Sequence, residues 1–305
     1  MPFPKIHISQ PPRLFPGDAI GVVAPASPFD QGKFIKGLTV LEEMGLGPIV
    51  PETIYDRNGY LAGSDSHRAD MLNAMFADPA VKGIICARGG YGSLRILSRI
   101  DYGAISANPK VFIGCSDITA LLNTFFVKCG LVSLHGPMIE SLAAASEKTK
   151  QSLQDVLFAN SVLSVVPENP RTVYAGQASG VIAGGNLTTL CHLVGTPFEP
   201  DFSGRMLLLE DVGESPYHID RMLTQMKMAG CFERVAGILL GSFKGCGDPE
   251  QVDAVFADVF RTEAIPILAG FNFGHDEPNL TLPLGLPASF DSAVGALQFA
   301  QSPFL

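Results

Sequence analysis

Ser116 sits where a strand-like run gives way to a helical one, in Val111-Phe112-Ile113-Gly114-Cys115-Ser116-Asp117-Ile118-Thr119. A sharp turn of that kind lifts a hydroxyl to the edge of a sheet. The helix start behind it supplies free N–H groups and a positive dipole end. Both features favour a nucleophile whose attack creates an oxyanion, as in hydrolase elbows. The sequence is not GxSxG, and by position alone Ser116 or Asp117 reads first as a helix cap. A second feature is the cluster Arg88-Gly89-Gly90-Tyr91-Gly92 after another strand-like run. Without side chains, backbone N–H groups approach a ligand closely. Gly90 is then one oxyanion-hole donor and Asp117 the other; the bland alternative is a tight turn. The cluster matches neither GxGxxG nor the P-loop.

A serine nucleophile needs a base, and the base an orienting acid. The chain has six histidines. His7 lies in the N-terminal tail, His67 in a polar segment, and His192 and His218 in helix-like segments. His275 falls in a Gly-flanked loop after a strand, Phe271-Asn272-Phe273-Gly274-His275-Asp276, and is the expected base. His135, in Ser133-Leu134-His135-Gly136-Pro137, competes with it. For the acid, Leu207-Leu208-Leu209-Glu210-Asp211 puts carboxylates at the end of a buried-type strand. A carboxylate abutting three leucines needs a hydrogen-bond partner. Glu210 is the first choice, with Asp211 and Glu214 as alternatives. No HExxH occurs, and His275-Asp276-Glu277 is too compact for a zinc site, so metal catalysis is not expected.

These residues must be carried by a scaffold. Ala19 to Ala24, Pro48 to Pro51, Val81 to Ala87 and Val111 to Gly114 read as strands. Between and after them, 34–44, 67–76, 94–100 (capped by Ser93) and 117–126 read as helices. Strands alternating with helices imply a parallel sheet covered on both faces, with functional groups at the carboxyl ends of strands. A helix at 147–158 then leads into a Pro-containing extended stretch, 165–173, and the domain boundary is set near residue 165. Beyond it, 206–209, 235–242, 265–270, 280–286 and 295–300 read as strands, with helices near 217–228 and 252–260.

Bulk properties narrow the function. Of 305 residues, 47% are apolar and only 17% charged, which suits a large core and argues against disorder. The net charge of −9 and the lack of a basic run argue against a nucleic-acid partner. The first residues do not read as a signal peptide, and no apolar run reads as a membrane span. The six scattered cysteines lack CxxC pairs, which fits reduced thiols in the cytoplasm.

Together the motifs resemble the LD-carboxypeptidase family, which includes muramoyltetrapeptide carboxypeptidases. The resemblance rests on 17–28 (GDAIGVVAPASP), 88–92, 114–119, Gly184-Gly185-Asn186-Leu187, Leu209-Glu210-Asp211, Ile219-Asp220-Arg221-Met222-Leu223 and Gly274-His275, in that order. It implies an α/β protein: an N-terminal Rossmann-like parallel-sheet domain over 1–165 carrying the nucleophile, and a C-terminal mixed α/β domain over 166–305 carrying acid and base. It implies a triad of Ser116, Glu210 and His275, with oxyanion donors at Gly90 and Asp117, and no cofactor. It implies a homodimer that removes the terminal D-Ala from murein tetrapeptide in peptidoglycan recycling. Two rivals remain. One is a microcin C-type self-immunity peptidase, which by resemblance stacks a nucleobase on Trp; this chain has no Trp. The other is a non-catalytic ligand-binding α/β protein.

Overall fold

A computed structural model of the chain describes residues 7–158 and 161–305. Residues 1–6, where the leader-free reading begins, lie outside the described residues. The strands in chain order are β1 (Ala19–Val23), β2 (Gly47–Ile49), β3 (Val81–Cys86), β4 (Val111–Gly114), β5 (Ser133–His135), β6 (Ser164–Val165) and β7 (Arg171–Tyr174). They continue with β8 (Gln177–Asn186), β9 (Arg205–Val212), β10 (Gly237–Lys244), β11 (Ile267–Ala269), β12 (Leu282–Leu284), β13 (Pro287–Asp291) and β14 (Ala296–Phe299).

Among the described residues these form two sheets. The first has the order β12-β5-β4-β3-β1-β2, and all its neighbours run parallel except β12, which is antiparallel to β5. The second has the order β6-β14-β13-β8-β9-β10-β11-β7, with a parallel centre, β8 to β11, and antiparallel flanks. The architecture is thus α/β, a parallel-strand sheet and a second, mixed sheet. The parallel strands read as unbroken apolar runs because helices cover both faces; Leu207, Leu208 and Leu209 of β9 are all fully buried. The helices carry local signals as well. The helix Gln31–Glu43 starts on Asp30, whose carboxylate accepts the Lys33 N–H at 2.8 Å, and it buries Phe34, Gly37, Val40 and Leu41 on one face.

Among the departures from the sequence expectation, which include the unforeseen strand β8, three bear on the site. The helix after Ser116 begins with a 3₁₀ turn, Ser116–Ile118, before the α-helix Thr119–Cys129. The helix expected at 94–100 is an α-turn, Ser93–Ile96, followed by a 3₁₀ turn, Leu97–Arg99. Ser93 does not cap it. Instead its N–H donates to the Asp117 carboxylate at 2.8 Å and its hydroxyl to the Asp117 carbonyl at 2.5 Å, which ties the glycine loop to the Ser116 turn. The stretch 280–286 holds only the three residues of β12, which return to the first sheet; the next strand, β13, joins the second.

The helix Thr119–Cys129 is buried over most of its length because it lies between the sheets. Its Asn123 carboxamide donates to the Gly184 carbonyl at 2.9 Å and accepts the Gly184 N–H at 3.0 Å; Thr119 Oγ1 accepts the Asn186 N–H at 3.0 Å. The Gly184-Gly185-Asn186 motif is therefore the seat of this helix. No helix among the described residues is long and apolar enough to cross a membrane.

Asn123→Ala leaves both polar groups of Gly184 buried and unpaired, so a loss of about 2–4 kcal/mol of stability is expected. Urea unfolding checks this; an unchanged midpoint would mean that the clamp carries no stability.

Candidate active site

Ser116 opens the 3₁₀ turn after β4 with φ of 59°, and its side chain is half-buried. A non-glycine residue in the left-handed region costs roughly 1–2 kcal/mol, and such strain collects at functional sites. Arg234 is the one other such residue among the described residues. The glycine cluster abuts this turn. A Cβ on Gly89 would stand 2.9 Å from Ser116 Cβ, 3.2 Å from its Oγ and 3.4 Å from the Asp117 nitrogen. Gly89 thus leaves the space beside the hydroxyl open, and Gly90 follows with φ of 98°. Asp117 is buried, with its carboxylate on the Ser93 N–H; burial pushes its pKa up against those hydrogen bonds.

Glu210 lies in the buried run of β9, just before the equally buried Asp211, in register with Asn186 of β8. It has no exposed surface, and its Oε2 lies 2.6 Å from His275 Nδ1. Burial opposes its ionisation, but the neighbouring His135 and His275 outweigh it and bring the pKa down to about 2. Burial likewise disfavours the charged form of His275. The hydrogen bond and charge of Glu210, helped by Asp211, win and raise its pKa. A carboxylate on Nδ1 fixes the tautomer that leaves Nε2 free to accept a proton.

The loop holding His275 is itself held. Its N–H donates to Ser242 Oγ at 2.9 Å, and Asp276 N–H reaches the same oxygen at 3.3 Å. The Gly274 N–H donates to Asn279 Oδ1 at 3.0 Å. Gly274 has φ of 117°, and a Cβ there would lie 2.7 Å from both Glu210 Oε2 and Ser242 Oγ, so no larger residue fits. Glu210 also borders the strand end that bears Ser116. Its Oε1 is 3.9 Å from Nε2 of His135, which pairs with Gly114, and burial together with Glu210's charge pushes the Cys115 thiol up.

The alternative acids are engaged elsewhere. Asp211 accepts Asn186 Nδ2 at 3.0 Å, the Thr188 N–H at 2.9 Å and the Thr188 hydroxyl at 2.8 Å, bracing the start of the helix Leu187–Leu193. Glu214 pairs with His218 Nδ1 at 2.8 Å, one helical turn away. Sequence reasoning missed Ser242, Asn279 and Asn123, none of which stands in a motif of its own. It also treated His135 as a competing base without foreseeing that it lies against Glu210.

Models of the LD-carboxypeptidase N-terminal and C-terminal domains match residues 20–136 and 179–290. The chain belongs to the LD-carboxypeptidase family and is a carboxypeptidase. A Bacillus subtilis protein named "Probable murein peptide carboxypeptidase" is 40% identical to it over 294 residues, covering 93% of this chain and 92% of that protein. Among solved structures, a muramoyltetrapeptide carboxypeptidase from Oxalobacter formigenes matches with a TM-score of 0.82 at 29% identity, covering 92% of this chain and 97% of that one. The microcin C7 self-immunity protein MccF in complex with glutamyl sulfamoyl guanosine matches with a TM-score of 0.91 at 26% identity, covering 97% and 99%.

With His275 as proton acceptor, activity requires its neutral form. Its pKa is raised from 6.5, so neutrality is reached only at higher pH. The acid limb of kcat/KM is expected to have its midpoint above 6.5. A pH–rate profile checks this, and a midpoint at or below that value would contradict it.

Proposed function

We propose that this protein is a serine LD-carboxypeptidase that removes the terminal D-Ala from murein tetrapeptide, hydrolysing the amide between the L-centre of the diamino acid and D-Ala. The observation that carries the chemistry is the 2.6 Å contact between buried Glu210 and His275, with Glu210 beside His135, which pairs with the strand end leading into Ser116. The substrate class rests on relatives named as murein peptide and murein tetrapeptide carboxypeptidases.

In this reading His275 Nε2 takes the Ser116 proton as Oγ attacks the carbonyl carbon. Glu210 on Nδ1 stabilises the imidazolium that forms. The N–H groups of Gly90 and Asp117 hold the oxyanion, a contribution typically worth about a hundredfold to a thousandfold in kcat per donor. His275 passes its proton to the leaving amine, D-Ala departs, and water activated by His275 releases the shortened peptide from Ser116. No cofactor enters the cycle. The nucleophile comes from the half before about residue 165, and acid and base from the half after it. The enzyme acts in the cytoplasm, in peptidoglycan recycling, as a homodimer.

Likeness to MccF keeps a peptidyl-nucleotide substrate as the competing reading, against which the absence of Trp counts. Ser116→Ala is expected to abolish D-Ala release from murein tetrapeptide while the far-ultraviolet circular dichroism stays unchanged. Retained release in that variant would remove Ser116 as nucleophile. Cleavage of a peptidyl-nucleotide by the unmodified protein, without release of D-Ala, would favour the rival.

A further inference from the structure

His135 has no part in the proton path above, yet it is fully buried against the acid. It closes β5, opposite Gly114 on β4 and Leu282 on β12, with Phe273 set edge-on to its ring at 5.8 Å. Its Nε2 lies 3.9 Å from Glu210 Oε1. Neither ring nitrogen of His135 has a hydrogen-bond partner, and Glu210 Oε1 has none. The other carboxylate oxygen, Oε2, is the one bound to His275.

A buried carboxylate oxygen and a buried imidazole N–H both disfavour isolation. Here two such groups face each other across a gap about 1 Å longer than a hydrogen bond. Hydrogen bonds of catalytic groups are often long in a free enzyme and tighten when substrate binds. His135 is poorly placed to be the base: its side chain is 0% exposed, whereas that of His275 is 22% exposed.

We infer that His135 is a positioning residue, whose Nε2–H holds Glu210 Oε1 so that Oε2 stays fixed on His275. The inference rests on the reading of Glu210 and His275 as acid and base. Without a donor on Oε1 the carboxylate is free to rotate about its last side-chain bond, and the imidazole loses its orientation. Substrate contacts are untouched, so the effect belongs to kcat.

The test compares His135→Gln with His135→Asn. Gln carries an amide N–H close to the position of Nε2. Asn is shorter and carries its N–H near Nδ1, out of reach of Glu210. H135Q is expected to keep kcat within about threefold of the unmodified enzyme; H135N is expected to lose about tenfold to a hundredfold, with KM unchanged in both. Equal kcat in the two variants, high or low, would overturn the inference by reducing His135 to packing. A loss confined to KM would overturn it too. Nitrogen NMR of the histidine-labelled unmodified protein gives a readout that does not depend on any variant folding. A proton on His135 Nε2 is expected, and a bare Nε2 contradicts the role. Ser116→Ala serves as the control: if it stays active, the catalytic reading itself fails, whereas equal H135Q and H135N beside an inactive S116A sink only the positioning role.

Discussion

A carboxylate without exposed surface, Glu210, lies near the carboxyl end of β9, and the site is organised around its charge. Leaving one partner of such a buried pair unmatched typically costs about 3–5 kcal/mol, so the surroundings of Glu210 are constrained to supply donors. His275 is one, at 2.6 Å. The same contact raises the pKa of His275 and, together with His135, lowers that of Glu210, which favours the imidazolium–carboxylate pair. That is the charge state a proton-accepting histidine reaches midway through acyl transfer. Gly274, Ser242 and Asn279 then follow as requirements, since each holds the histidine loop close enough for the bond to form.

The sheets explain how Glu210, from one half of the chain, comes to lie beside the strand end that leads into the Ser116 turn of the other. Both present the carboxyl ends of parallel strands to the same region, the place where α/β folds put ligands. The buried helix Thr119–Cys129 starts at the Ser116 turn and is fastened through Asn123 and Thr119 to the end of β8. β8 is paired in register with β9, so Asn186 stands beside Glu210. A short run of backbone and side-chain bonds thereby links the strained Ser116 turn to the buried acid. β12 adds a second tie by pairing with β5, which carries His135.

Much of this was legible in the sequence. The alternation of apolar runs and helical periodicities implied a parallel sheet, and the leucines before Glu210 implied a buried carboxylate in need of a partner. What was not legible is long-range. Glu210 and His275 are 65 residues apart, and nothing local distinguishes Glu210 from Asp211. Only in three dimensions does Asp211 turn to Asn186 and Thr188 while Glu210 turns to the histidines. The helix boundary at Ser93 was misjudged because a serine beside a glycine loop reads as a cap, whereas its hydroxyl is drawn to Asp117 across the site. Ser242 was missed because a lone serine at a strand end has no distinguishing pattern.

The central claim is that Glu210 acts through His275 rather than on its own. A double-variant cycle in kcat, with Glu210→Gln, His275→Asn and the two combined, tests it most directly. If the acid works only by orienting and stabilising the imidazole, the combined variant is no more than about threefold slower than the slower single variant. Losses that multiply, so that the combined variant falls by the product of the two, would contradict the account.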